Sequence, residues 1–137
     1  MLLGFKSRFA DLVESGAKRH TIRGERKVTP RVGEVCHCYV NPRQKAMRLL
    51  GRWPCSKVQV VKFLPDLLHA DRMFVFVDGY ELVHEEADQL FFADGFQEDR
   101  YGRYPHLAQA VEFWSGRLPF CGCLIHWDFN HPVVKHG

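Results

Sequence analysis

The sequence predicts an α+β fold, a small mixed β-barrel with two to three helices packed against it. Segments patterned as strands outnumber helical ones, and the two kinds do not alternate as βαβ units require. A doubly wound parallel sheet is therefore disfavoured. The 137 residues are enough for one domain with its own core, which we expect at residues 1–130, followed by a loosely ordered tail at 131–137.

The first half of the chain predicts short strands around one helix. Ser7 suits the cap of a helix whose apolar residues follow i, i+3, i+4 spacing, and Gly16 suits its end. Two prolines and a glycine between Asn41 and Ser56 predict a loop there. Strands are expected at residues 1–5, 18–23, 33–40 and 57–63, the last with a kink because its apolar residues change phase.

The second half predicts a hairpin, two helices and a closing strand. Asp78-Gly79 lies between apolar runs, a typical two-residue hairpin turn. Helices are expected at residues 84–93 and 105–115, the second opened by Pro105. The last strand, 120–129, alternates five residues onto one expected face: Cys121, Cys123, Ile125, Trp127 and Phe129.

The composition is typical of a soluble, cytoplasmic globular protein. Apolar residues make up 46% and charged residues 26%, and no window approaches the ~20 apolar residues of a membrane span. The N-terminal segment has no secretory pattern. Five cysteines, an odd count, favour free thiols over a disulfide scaffold. The pairs Cys36/Cys38 and Cys121/Cys123 have C-x-C spacing, so we expect buried thiols and neither a metal ion nor another cofactor.

Positive charge is concentrated near the first helix. Residues 18–31 hold six Lys or Arg and one acid, Glu25, a net charge of +5, whereas the whole chain carries +3. Such a concentration is typical of a surface that binds a polyanion, and RNA is the partner we expect. A solvated basic strand is the alternative interpretation.

The same stretch contains a candidate binding segment directly after Gly16. In a strand, Arg19, Thr21 and Arg23 would share a face, with Lys18 at the turn beside them. Cations with a hydroxyl suit an anionic or carbonyl-bearing ligand. The guanidinium of Arg23 has the planar fork that holds a phosphate or a base edge; its alternative is a surface salt bridge. His20 lies within the segment and is a further candidate contact.

Asp94 is the one acid in an unusual place. It follows Ala87, Leu90 and Phe91 at i, i+3, i+4, i+7 spacing, so it falls on the helix face meant for burial. It also lies near the helix C-terminus, where the helix dipole disfavours negative charge. A turn with the side chain bonded to backbone is the alternative; a buried ion pair with Lys18 would offset the desolvation of both charges.

The predicted loop at 41–56 carries basic residues and no acid. Arg43 and Arg48 there, with Arg26 upstream, extend the candidate set for RNA contact. Trp53 is a candidate for stacking on a base, although a tryptophan next to a proline is more often a packing residue.

The motif Gly16-x-Lys18-x-x-Thr21-x-Arg23 resembles the signature of the ASCH family. A strand at 58–63, the segment 93–96 and the ending Phe120-x-Gly122-x-Leu124-Ile125-x-Trp127 follow in the order of that family, and the basic insert is similar to versions found in phage and prophage genomes. The resemblance covers about residues 2–129. It implies a PUA-like β-barrel, a fold related to RNA-binding domains.

In some ASCH proteins a lysine, a threonine and a carboxylate are implicated in hydrolysing N-acetylated cytidine nucleosides. The resemblance therefore implies Lys18 as nucleophile or general base, Thr21 as a positioning or proton-handling hydroxyl, and Asp94 as the acid/base partner. An amine attacks only when neutral, and Asp94 is one methylene shorter than the glutamate of those relatives. Two functions stay open: an amidohydrolase acting on an acylated cytidine, and a non-catalytic RNA-binding module using the same cations.

Overall fold

The computed structural model describes residues 1–25, 30–41 and 45–134, and this part of the chain forms an α+β fold with three helices and seven strands. In chain order the elements are β1 (Leu2–Phe5), α1 (Ser7–Ser15), β2 (His20–Gly24), β3 (Val35–Val40), β4 (Arg48–Pro65), β5 (Met73–Val77), β6 (Tyr80–Glu81), α2 (His84–Ala93), α3 (Pro105–Phe113) and β7 (Phe120–Trp127). No helix within these described ranges has the length and apolar character needed to cross a membrane.

The strands form one mixed sheet that, over the described residues, is not closed into a barrel. Its order is β1-β3-β4-β5-β6. Outside this order, β7 pairs with both β4 and β2. β1 pairs parallel to β3, whereas β3-β4 and β4-β5 are antiparallel. The expected barrel closure is therefore wrong. The 18-residue β4 pairs with three strands, β3, β5 and β7. The sheet ends at the two-residue β6, which does not pair with β1.

The chain divides into two compact units, each discontinuous in sequence. Among the described residues, the first unit comprises 1–21, 30–41, 45–58 and 125–134, and the second comprises 22–25 and 59–124. The core of the first unit includes Leu3 and Val13, both fully buried, and the buried Cys36, Cys38 and Val40 face of β3, as its alternation predicts.

Residues 48–56 of the expected loop are instead the first half of β4, because β3 pairs with them, whereas the described residues 41 and 45–47 have no regular structure. Gly51 leaves room for the Trp53 indole, since a Cβ there would lie 2.3 Å from Trp53 Cη2. A register shift makes Leu50 an extra, buried residue, which is a β-bulge. Pro54 lies opposite Val35 at the end of the pairing. Non-local hydrogen bonds thus outweigh the local signals of proline and glycine.

In the second unit, Phe63 of β4 packs against aromatic residues of the helical segments. Phe63 lies 5.6 Å from Phe91 of α2 and 5.1 Å from Trp114 after α3, measured between ring centroids. β4 runs continuously through 57–63, so the phase change does not break the strand: Val61 and Phe63 are buried, and Val60 is exposed on the other face. Apolar residues occupy both faces of this strand.

The turns and helices follow local sequence signals closely. Asp78 and Gly79 have φ of 51° and 82°, as a two-residue hairpin turn requires, and α2 spans the expected residues. Pro105 opens α3, which ends two residues earlier than expected. The capping role expected of Ser7 is wrong: Lys6 is the N-cap and Ser7 the first helical residue.

The last strand is buried more completely than its alternation predicts. Cys123, Ile125 and Trp127 are buried, but so are Gly122 and Leu124 on the other face, whereas Cys121 is exposed. A strand covered on both sides has no solvent face to alternate with. Residues 131–134 of the expected tail have no regular structure, and residues 135–137 lie outside the described part.

Candidate functional site

The turn after α1 places Lys18 inside the first unit. Gly16 ends the helix with φ of 85°, and its N–H donates to the carbonyl of Val13. The Lys18 N–H then donates to the carbonyl of Leu12 at 2.8 Å, which turns the chain back over the helix end. A Cβ on Gly16 would lie 2.5 Å from the Phe129 ring, so this turn requires glycine on two grounds.

Lys18 is only 2% exposed, which is rare for a lysine. Its Nζ lies 5.3 Å from the ring centroid of Phe9 and 5.9 Å from that of Phe5, at distances typical of cation–π contacts. An ammonium that leaves water needs such compensation, since its desolvation is costly. The sequence predicted a role for Lys18 but not this aromatic surrounding.

Two neighbours of Lys18 are buried with it. His20 and Thr21 begin β2 and are 8% and 5% exposed. The imidazole of His126 in β7 contacts that of His20 edge to face, with ring centroids 5.3 Å apart. The first unit therefore buries an amine, a hydroxyl and the imidazole of His20, and the half-buried imidazole of His126 contacts the latter. His126 was missed as a site residue because only strand pairing, which the sequence does not reveal, brings it to His20.

Arg19 lies apart from Thr21, contrary to the shared face expected from alternation. β2 begins at His20, so the strand period does not include Arg19. Its Nε donates to the carbonyl of Gly16 at 2.7 Å, and its guanidinium lies 5.0 Å from the ring centroid of Phe129. Arg19 is exposed and Thr21 is buried, so the two side chains do not lie on one face of the segment.

Two tryptophans extend the aromatic environment of Lys18. Trp53 and Trp127 stack with ring centroids 6.2 Å apart and planes 18° apart, and Trp127 contacts Phe5 at 5.9 Å. We call Phe5, Phe9, Trp53 and Trp127 the aromatic cluster. Both indole Nε1 atoms are buried, and neither has a hydrogen-bond partner in the described part of the chain. Buried donors normally find an acceptor, so the aromatic cluster has two donors available to a ligand or to water.

The basic residues proposed for RNA contact are less favourably placed. Arg48 is exposed, and its Nη1 donates to Glu14 Oε2 at 2.8 Å in a surface ion pair. Arg26 and Arg43 lie outside the described residues. Of Arg26, Arg43 and Arg48, only Arg48 is described, and it is paired with a carboxylate.

Asp94 and Arg23 belong to the second unit. Asp94 is 4% exposed at the C-terminal cap of α2, where its N–H donates to the carbonyl of Leu90 at 2.9 Å. It shares the buried helix face with Ala87 and Phe91, as the spacing predicts. Arg23 is half-buried in β2.

The cysteines are all free thiols, and four of the five are buried. The thiols of Cys36 and Cys55 hydrogen-bond each other, and burial is the main cause that raises the pKa of Cys36 to about 12. Burial also raises the pKa of Cys55. A protonated thiol is a poor nucleophile and metal ligand. Within the described ranges no three His, Cys, Asp or Glu residues group so as to hold a metal ion.

No protein-family model, curated protein or solved structure matches this chain. The assignment of function therefore rests on the geometry of the two units and on the motif at Gly16–Arg23.

Proposed function

We propose that this protein is an ASCH-type hydrolase that binds a modified nucleoside beside Lys18 and cleaves the amide of an N-acetylated cytidine. Lys18 acts as the nucleophile or general base, Thr21 as the positioning hydroxyl and Asp94 as the acid/base partner. The observation that carries the proposal is the burial of the Lys18 ammonium against two phenylalanine rings.

Burial of Lys18 argues for function because an apolar residue would fill the same volume without the desolvation cost. A buried charge lowers the stability of the folded state through its desolvation, so stability alone gives no reason to bury a lysine. Buried titratable groups cluster at functional sites for this reason. His20 and Thr21 beside it add a second titratable group and a hydroxyl within the same unit.

The aromatic cluster supports a nucleobase as the ligand. The indole N–H groups of Trp53 and Trp127 are buried and have no partner among the described residues, and such donors suit the carbonyl oxygen or ring nitrogen acceptors of a base. A nucleoside with an amide on its exocyclic nitrogen also presents an acyl carbonyl to Lys18.

The proposed reaction consumes one water. In the general-base route neutral Lys18 takes a proton from water, and the resulting hydroxide adds to the acyl carbon. The C–N bond then breaks, the exocyclic nitrogen takes a proton from protonated Asp94, and cytidine and acetic acid form. Acetic acid returns a proton to Asp94 as it becomes acetate, and the proton on Lys18 passes to water. Asp94 is assigned to this last proton transfer by the resemblance to the ASCH family.

The proposal extends to the fold family and the compartment. We assign a PUA-like ancestry with an open sheet, and the free thiols suit the reducing cytoplasm. The non-catalytic RNA-binding module is the second candidate. The enclosed position of Lys18 favours a single nucleoside over a polynucleotide. The surface arginine Arg48 adds no support for RNA binding, because it already pairs with Glu14.

The test is release of acetate from N-acetylcytidine by the purified chain, followed by NMR. Lys18→Met keeps the chain length of the residue but removes the amine, and we expect a loss of activity of at least ~100-fold, the usual range for a general base. Lys6→Met, at an exposed lysine, is the matched control and should keep full activity. Circular dichroism melts establish that both variants fold.

Absence of turnover over a panel of acylated cytidines would overturn the hydrolase. Binding of single-stranded RNA that falls steeply with salt, without turnover, would support the RNA-binding module in its place. Full activity of Lys18→Met would remove Lys18 from the chemistry.

A further inference from the structure

The second unit has a sheet face opposite the one on which Phe63 packs against Phe91 and Trp114. Pairing places Lys62 of β4 opposite Phe76 of β5, and Phe76 opposite Glu81 of β6. The next row pairs Leu64 with Phe74. We call this the outer face, formed by Val60, Lys62, Leu64, Phe74, Phe76 and Glu81.

Apolar side chains of the outer face are open to solvent. Val60 is 66% and Phe74 38% exposed, whereas their strand neighbours Val61 and Val75 on the inner face are at most 1% exposed. A groove of about 330 Å³ runs between Val60 and Phe76. Exposed apolar side chains on both sides of the half-buried Phe76 favour a surface that another molecule covers.

The charges of the outer face are arranged symmetrically about Phe76. Lys62 and Glu81 stand one strand away on either side of it, in the same cross-strand row. Both are exposed, and neither has an ion-pair partner among residues 1–25, 30–41 and 45–134. Strands are ~4.8 Å apart, so the Cα atoms of Lys62 and Glu81 lie at nearly equal distances from that of Phe76.

This arrangement is self-complementary. A two-fold axis parallel to β5 and above Phe76 brings a second copy face to face with the first. The axis places the Lys62 end of one copy's row over the Glu81 end of the other copy's row. Lys62 of each copy then faces Glu81 of the other, and Phe76 meets Phe76. An interface formed by the same patch on both subunits is the commonest kind in homodimers.

We infer that the outer face is the interface of a symmetric dimer of this chain in solution, held by apolar contact around Phe76 and by two Lys62–Glu81 ion pairs. A second copy is the occupant because one surface supplies both the apolar area and both charges. Six residues on three strands make a patch below the ~800 Å² per partner of a standard interface, so the dimer is weak, with a dissociation constant on the order of micromolar or above.

The experiment is sedimentation of the full chain between 1 and 300 μM at low salt. We expect a concentration-dependent dimer for the natural sequence. Lys62→Glu places two acids opposite each other, and Glu81→Lys places two lysines opposite each other, so each alone should weaken dimerisation by at least ~10-fold. Lys45→Glu, at an exposed lysine of the first unit, is the control and should dimerise as before.

Charge exchange makes the test specific for this geometry. An equal mixture of Lys62→Glu and Glu81→Lys chains should form a heterodimer detectable by native mass spectrometry, and the doubly exchanged chain should recover its own dimer. A monomer throughout the concentration range would overturn the proposal. A dimer that neither charge reversal weakens would overturn it as well, because another surface would then be the interface. Acetate release is not required for either result, so this test stands apart from the proposed function.

Discussion

Adding one methyl group at Gly122 tests how closely β7 approaches β2. A Cβ on Gly122 would lie 2.1 Å from the carbonyl oxygen of Arg23 and 2.9 Å from its carbonyl carbon. Both atoms belong to backbone, which cannot swing aside as the end of a flexible side chain can. Gly122→Ala must therefore displace one of the two strands.

We expect Gly122→Ala to lower the free energy of unfolding by about 3 kcal/mol, the upper part of the range for overpacking. For a domain of this size 1 kcal/mol corresponds to a shift in Tm of about 3–4 °C, so the loss should be about 10 °C. Thermal melts followed by circular dichroism, together with urea unfolding, measure both quantities. Since Arg23 is a candidate ligand residue, its displacement should also weaken nucleoside binding.

Gly24→Ala is the matched control because Gly24 lies in the same strand as Arg23. The nearest atom to a Cβ there, Phe120 Cε2, is 3.9 Å away, an ordinary contact. This variant should melt within about 2 °C of the natural chain, or slightly above it. If Gly122→Ala melts as the control does, the close approach of the two strands is wrong.

Two further predictions concern stability in the separate units. Asp88 Oδ1 caps the start of α3 by accepting from the N–H groups of His106 and Leu107 at 2.8 and 2.9 Å. Asp88→Ala should therefore lower the free energy of unfolding in urea by about 1–2 kcal/mol, and Asp88→Asn, which keeps an acceptor oxygen, by less than half of that. Equal losses for the two variants would contradict this capping role. The pKa of Cys36 is raised from 9.0 to about 12, so the folded state holds a proton that the unfolded state loses. Its stabilising effect is complete below pH 9 and should fall by about 1.4 kcal/mol per pH unit toward pH 12. Cys36→Ala should flatten this fall, and an unchanged slope would show that Cys36 is not its source.

Elements set by neighbouring residues were predictable from the sequence. The αL conformation of Gly16, the hairpin turn at Asp78-Gly79 and the helix opened by Pro105 all follow from backbone preferences that act within a few residues. The segment around Lys18 could be proposed as a candidate site for the same reason, since its residues are consecutive. The burial of Asp94 also followed from helical spacing.

Elements set by distant partners were not predictable. The first half of β4 was expected to be a loop because its proline and glycine are visible locally, while the β3 strand that pairs with it is not. The burial of both faces of β7 depends on what covers each face. The prediction of a closed barrel was wrong for the same reason, since pairing between distant strands decides whether a sheet closes.

Contacts a few residues apart set the α+β class, the helices, the hairpin and the basic segment from Lys18 to Arg23, so these can be predicted from the amino-acid sequence. The open sheet and the enclosure of Lys18 by Phe5 and Phe9 are visible in the folded chain alone. The burial of a charge is a property of everything packed around it, and residues distant in sequence supply most of that packing.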